Sequence, residues 1–260
     1  MTPTSRRKHE WKDEYTLLCE RCGYILEDLD HSLPCPECGK PIIESLPQRR
    51  VGTPWQQNPS FRSMAKTWLQ TLRHPLKVLD SISFEQTETT RLNQETIAAA
   101  TLISLIFSTA LCFILSLLHL PLSGVFFIAS IVPALILAFV LIALSSIEAR
   151  GIQVIGKTRG FRMTSPIAWA IVGHGSVGWL FAGLSIGFGM ATKAVAYSIE
   201  TISDDYALAD NYRMFGNIVM VIGVFTGFLF FETFAYLGLR RCKYANRTRP
   251  NPAPNQTPKP

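Results

Sequence analysis

Residues 122–147 read LSGVFFIASIVPALILAFVLIALSSI, a run of 26 residues without one Lys, Arg, Asp or Glu. A bilayer core is about 30 Å thick, so about 20 apolar helical residues cross it. This run is long enough. Helices on the surface of soluble proteins carry a polar face, and this run has none. Pro133 interrupts it, but membrane helices tolerate proline. Working outward, three further runs meet the same criterion, at 97–118, 167–191 and 216–239. The reading is an all-α membrane bundle of about four transmembrane helices over 97–240.

Charges in the links orient such a bundle. Around His119, Leu120 and Pro121 there is no Lys or Arg. The next link carries Arg150, Lys157, Arg159 and Arg162 against Glu148, and the third carries Lys193 and Arg213 against Glu200, Asp204, Asp205 and Asp210. The segment 241–260 is basic and rich in proline, and reads as a disordered tail. The pattern predicts both termini in the cytoplasm, and an even number of spans likewise places them on one side. The first 16 residues hold no apolar core, so no secretory signal is expected. The third and fourth runs contain Gly183/Gly187 and Gly223/Gly227, pairs that let helix backbones approach closely and predict contact between those two helices.

The excess of positive charge belongs to the membrane half. Residues 1–58 hold 8 Lys/Arg and 9 Asp/Glu, residues 59–96 hold 5 and 4, and residues 97–260 hold 12 and 6. A nucleic-acid interface needs cations on the soluble part, so this distribution argues against nucleic acid as a partner. Between the two halves, at 61–72, Phe61, Met64, Ala65, Trp68, Leu69 and Leu72 fall at helical spacing, with Arg62, Lys66 and Arg73 on other faces. The segment 59–96 therefore reads as an amphipathic helical element. Either it lies on the lipid surface or it packs on the rest of the protein. His74-Pro75 should break it, with Leu76, Leu79 and Ile82 continuing the apolar stripe.

The N-terminal 1–58 reads as a small metal-binding module followed by an extended linker, and it carries the chemistry. Cys19-Glu-Arg-Cys22-Gly and Cys35-Pro-Glu-Cys38-Gly are separated by 12 residues. Two Cys-x-x-Cys turns present four thiolates, which suit a tetrahedral metal site, with zinc as the expected ion. The runners-up are a redox dithiol, which needs only one such pair, and an iron–sulfur site. Four sulfur ligands leave no open position, so the zinc is expected to be structural. The spacing predicts a small zinc ribbon with one short β-hairpin or knuckle between the pairs, and metal supplying most of its stability. The ribbon offers a surface for a protein partner, and the bilayer is the second partner.

Beyond the Cys pairs, Glu44-Ser45-Leu46-Pro47 and Arg49-Arg50-Val51-Gly52-Thr53-Pro54-Trp55-Gln56 stand out, as do Arg159-Gly160-Phe161-Arg162, Trp169 and Gly173-His174-Gly175-Ser176-Val177-Gly178-Trp179. With these residues the chain resembles an uncharacterised bacterial family that joins a short zinc ribbon to a multi-pass membrane domain. The likeness covers most of the chain, implies a bacterial inner-membrane location and brings no activity with it. The membrane half is also similar to Yip-type multi-pass proteins, which typically have five spans and are associated with membrane traffic and organisation.

Two ionisable residues fall inside the apolar runs. His174 and Glu232 each lie about seven residues from the cytoplasmic end of their runs, roughly 10 Å deep. Neighbouring antiparallel helices would let them pair, with Glu148 near the same level. Such a pair is either an ion- or proton-responsive site, as in a small transporter or channel component, or a packing hydrogen bond. No catalytic arrangement stands out, so no enzyme activity is expected. Asn246-Arg-Thr and Asn255-Gln-Thr match the glycosylation pattern but fall in the expected cytoplasmic tail. The expected function is a membrane-anchored interaction or membrane-organisation module.

Overall fold

The computed structural model describes residues 13–84, 90–117 and 125–249. The link at 119–121 and the tail beyond 249 lie outside these residues. Among the described residues the fold is helical, with no strand. Three short helices precede the bundle. Thr53 precedes α1 (Pro54–Gln57) and forms a capping box with Gln56. Ser60 caps α2 (Phe61–Arg73), accepting from Ser63 N at 3.3 Å while Ser60 N donates to Ser63 Oγ at 2.9 Å. Pro75 lacks an N–H and so starts a new helix, α3 (Pro75–Ser81), instead of extending α2. Then come the long helices α4 (Arg91–Leu117), α5 (Val125–Thr158), α6 (Ser165–Gly175), α7 (Trp179–Ser203) and α8 (Tyr206–Arg241). A single 3₁₀ turn, Ser176–Gly178, joins α6 to α7.

Three stretches are long and apolar enough to cross a membrane: Ile131–Thr158, Ser165–Ser203 and Tyr206–Arg241. The helices outlast the apolar runs in the sequence. α5 continues past residue 147, α7 past 191, and α8 starts ten residues before Gly216. Helical hydrogen bonds need no apolar side chains, so hydropathy finds the lipid-length portion and not the helix ends. Arg150 and Lys157, read as link charges, therefore stand on the last turns of α5. Arg213 stands near the start of α8, where it pairs with Asp210 at 2.8 Å and with Glu200 of α7.

α7 occupies the centre, between α8 and α4. Two stripes of small residues let it do so. Gly178, Ala182, Ser185 and Gly189 face α8, where a side chain at Gly189 would meet the backbone oxygen of Gly216 at 2.8 Å. Gly183 and Gly187 face α4, where a methyl at Gly187 would lie 2.9 Å from the Ser104 backbone. The contact expected between the third and fourth runs is present. The α7 pair expected to make it packs on α4 instead, because at 100° per residue positions 183 and 187 point on average about 140° away from 178, 182 and 189. On α8, Gly223 meets Ser185 and Gly227 meets Gly178.

The bundle core is centred on Trp179, whose ring lies 4.3 Å from that of Phe231 and whose indole N–H donates to Ser145 at 3.1 Å. The same core continues through Val78, Leu79, Ile82 and Phe84, and through Cys242 and Ala245. The expectation of a disordered 241–260 is corrected over 242–249: Cys242, Ala245 and Asn246 are buried, because the chain turns back under the N-terminal head. α2 uses two faces. Ser63, Met64, Thr67 and Thr71 are buried, while Phe61, Leu69 and Leu72 are exposed. Trp68 donates to Thr96 and Trp55 to Glu95, each at 3.1 Å, which holds this region beside the first turns of α4.

Candidate metal centre and its attachment to the bundle

Each Cys pair folds as a tight turn closed by its own backbone. Gly23 N donates to Cys19 O at 2.8 Å, and Gly39 N to Cys35 O at 2.9 Å. Both glycines have positive φ, +83° and +71°, which other residues adopt only under strain. Cys19 N then bonds Tyr24 O, and Cys35 N bonds Lys40 O, both at 2.8 Å. The two turns are built alike and face each other. Cys19 Sγ lies 3.4 Å from Cys38 Sγ, and Cys22 Sγ lies 3.7 Å from Cys35 Sγ. All four ligand atoms fall within 4.8 Å of one another.

Those spacings fit a metal. A tetrahedron of thiolates about 2.3 Å from an ion has sulfur–sulfur edges of about 3.8 Å. Cys19 and Cys35 are buried, and Cys22 and Cys38 are half-buried. Burial, with hydrogen bonds from the neighbouring thiols, pushes the Cys22 thiol well above its ordinary range. A cation at the centre is what would let four such sulfurs ionise together. The apolar support is small: Leu26 and Ile42 with Leu17, Tyr24 and Leu29. The expected β-hairpin is not present among the described residues; there are only isolated bridges, Leu18 with Ile25 and Pro34 with Pro41. Proline cannot donate to a ladder, and Pro34, Pro36 and Pro41 surround the second turn.

This head does not hang from a linker. Glu20, inside the first Cys turn, receives both ends of Arg50: Nε to Oε1 at 2.9 Å and Nη2 to Oε2 at 3.1 Å. Arg50 is buried, and its Nη1 donates to Leu79 O of α3 at 2.8 Å while its guanidinium sits 5.1 Å from the Phe84 ring centroid. On the other side Asn246 forms a second bolt. Its amide nitrogen donates to Leu18 O at 2.7 Å and to Ser45 O at 2.6 Å, and its oxygen accepts from Leu18 N at 2.9 Å. The same oxygen accepts from Arg162 Nη2 at 2.6 Å.

Arg162 comes from the α5–α6 connection and is 3% exposed. It donates to Thr16 O and, at 2.8 Å, to Ala245 O. No carboxylate among the described residues touches it, and burial lowers its guanidinium to about 10. The Arg162–Asn246 contact thus joins head, α5–α6 connection and post-α8 segment in one buried polar knot. Further contacts reinforce it: Arg241 with Asp80, bidentate at 2.8 and 2.9 Å, and Arg247 with Phe84 O and Glu14.

His174 is buried, as expected, but is not paired with Glu232. Thr53 Oγ1 lies 3.1 Å from its Nε2, and Ala170 O lies 2.7 Å from its Nδ1. A carbonyl can only accept, so Nδ1 carries a proton, and Nε2 faces the Thr53 hydroxyl. With both nitrogens engaged, the imidazole fastens the 50–58 segment to α6. Glu232 is half-buried and lies within electrostatic range of Glu148 across α5 and α8.

Sequence reasoning missed the fasteners Glu20, Arg50, Thr53, Arg162 and Asn246. Arg162 read as an orientation charge and Asn246 as a discounted glycosylation pattern. Neither has a periodicity that would mark it. Arg50, Thr53, Arg162 and His174 do fall within the stretches 49–56, 159–162 and 173–179 that stand out in the sequence.

These features define a class: an all-helical chain with three helices long and apolar enough to cross a membrane and, at one end, four cysteines placed to hold a metal ion. No protein-family model, no curated protein and no solved structure matches the chain.

Proposed function

We propose that this is a membrane-anchored zinc protein whose four-cysteine head serves as a rigid interaction or membrane-organisation platform, without catalysis. The observation that carries it is the double bolt. Arg50–Glu20 and Arg162–Asn246 tie the cysteine turns to the bundle through buried polar contacts. A head docked this way holds one orientation relative to the membrane, as a platform for a protein partner requires. Leu33 and Ile43, at 54% and 60% exposure, leave an apolar face on it. Zinc is the ion best suited to four thiolates, and the closed set assigns it a structural role.

In this reading α4 is a fourth span, since its apolar part from Ile97 runs to the end of the helix at Leu117. Even parity and the basic links then put both termini in the cytoplasm of a bacterial inner-membrane protein. α2 lies in the interface beside the start of α4, with Phe61, Leu69 and Leu72 toward acyl chains and Arg62 and Lys66 toward headgroups. The family resemblance of the Cys pairs and the 49–56 stretch supports the same reading. The occupied nitrogens of His174 leave the intramembrane polar pair without support as a transport site.

The test is crosslinking of the full chain in its native membrane, with photo-reactive residues at Leu33 and Ile43. Recovery of one defined protein partner at both positions supports the platform. Crosslinks to lipid alone refute it.

A further inference from the structure

A cleft of about 580 Å³ separates the head from the C-terminal end of α8. Its lining is entirely ionisable. Six cations converge there: Arg21 from the first Cys turn, Lys40 from just after the second, Arg49 from the turn Pro47–Arg49, and Arg240, Arg241 and Lys243 from the end of α8. Three acids accompany them, and two of these are already committed. Glu20 gives both oxygens to Arg50, with Lys40 farther off at 3.8 Å, and Asp80 gives both to Arg241. Only Glu44 remains.

Arg21, Arg49, Arg240 and Lys243 make no ion pair among the described residues. Arg21 contacts only the Cys38 carbonyl, at 3.5 Å, Arg240 contacts the Tyr236 hydroxyl at 3.2 Å, and Lys243 lies over the Phe161 and Tyr244 rings. Gathering like charges in a concave site raises the local potential and costs free energy unless an anion fills it. Guanidinium forks match the oxygens of phosphate in bidentate fashion. The cations stand on two bodies, the head and the helix end, so a ligand with two phosphate groups can engage both walls at once. The volume falls within the range of small-molecule sites, about 300–1,000 Å³.

We infer that this cleft binds a ligand carrying two or more phosphate groups, which bridges the four-cysteine head and the cytoplasmic end of α8. The inference goes beyond the platform reading and does not depend on which metal the head holds. Such a ligand would add a third, reversible tie beside the two permanent bolts, so its occupancy would set how firmly the head is held. The diphosphate chemistry has two sources, a soluble phosphorylated compound or a diphosphate lipid headgroup beside the helix end.

The test is calorimetric titration of inorganic pyrophosphate into the metal-loaded full chain, reconstituted in phosphatidylcholine nanodiscs with and without cardiolipin. Binding that is equal in both disc types identifies the soluble source. Binding seen only in phosphatidylcholine discs, and blocked by cardiolipin, identifies the lipid source. Either result requires pyrophosphate to bind at least tenfold more tightly than sulfate. It also requires the double variant Arg49→Gln/Arg240→Gln to lose about tenfold in affinity or more. Both side chains are exposed, so circular dichroism of the variant should match the parent and isolate the effect. No pyrophosphate binding in phosphatidylcholine discs overturns the inference. So does sulfate binding as tightly, or wild-type affinity in the double variant.

Discussion

Replacing Asn246 with Ala removes one side chain and four hydrogen bonds. Leu18 N, Leu18 O, Ser45 O and one N–H of Arg162 lose their partner together, at distances of 2.6 to 2.9 Å. The residue is 3% exposed, so water replaces those bonds poorly. A buried polar group left unpaired costs about 1–3 kcal/mol. Partial hydration of the small cavity and loss of the asparagine's own ordering cost offset some of it. A net loss of about 3 kcal/mol in the docking of head on bundle follows, or on the order of a hundredfold in the docking equilibrium. The effect is local opening, not global unfolding, because the core around Trp179 and Phe231 is untouched. Hydrogen exchange with mass spectrometry reads it directly: peptides containing Leu18 and Cys19 should exchange about a hundredfold faster. Peptides from α7 should keep the parent rate. Arg249→Gln is the control, since its pair with Asp13 is exposed to solvent and contributes little. Exchange at Leu18 within about threefold of the parent in Asn246→Ala would refute the account of the knot.

Four further outcomes are expected. Stripping the metal with a chelator, or the substitution Cys35→Ser, should expose the 16–45 region to protease while leaving the helical circular dichroism unchanged, since the head's apolar core is too small to hold alone. Gly227→Val should lower stability in detergent by about 1–3 kcal/mol, because the new side chain meets the Gly178 backbone just before α7; an unchanged melting point would sink that packing. His174→Ala should cost about 2 kcal/mol by removing the buried bond between Thr53 and α6, whereas Glu232→Gln should leave thermal stability nearly unchanged; equal effects would restore the pairing of the two residues. The hydrogen bond and charge of Arg241 hold the Asp80 carboxyl below its ordinary 3.8. The stabilisation from Asp80 is therefore complete above about pH 4, is lost as pH falls through the lower folded value, and should vanish from the acid limb of a stability profile in Asp80→Asn.

What could be read without coordinates was whatever the chain repeats locally. Uncharged runs of lipid length announce spanning helices because the bilayer imposes one length on all of them. Three such helices are present, and the run over 97–118 corresponds to the continuous helix α4. Cysteine pairs announce a metal centre because two sulfurs must come from one tight turn, and Cys19, Cys22, Cys35 and Cys38 do converge. The break at His74-Pro75 was legible for a similar reason: proline acts on its own turn.

Tertiary structure alone decided where the head sits. The fasteners are single residues far apart in the chain, Leu18 with Asn246, Glu20 with Arg50 and Thr53 with His174. A hydrogen bond across 228 positions leaves no spacing for a sequence pattern to reveal. The same holds for Gly183 and Gly187, whose motif predicts close packing but not against which helix. Composition marks 241–260 as a tail, yet folding buries its first residues because unpaired carbonyls on the head need donors. Local physics writes periodicity into the sequence. The satisfaction of buried polar groups is a property of the assembled whole.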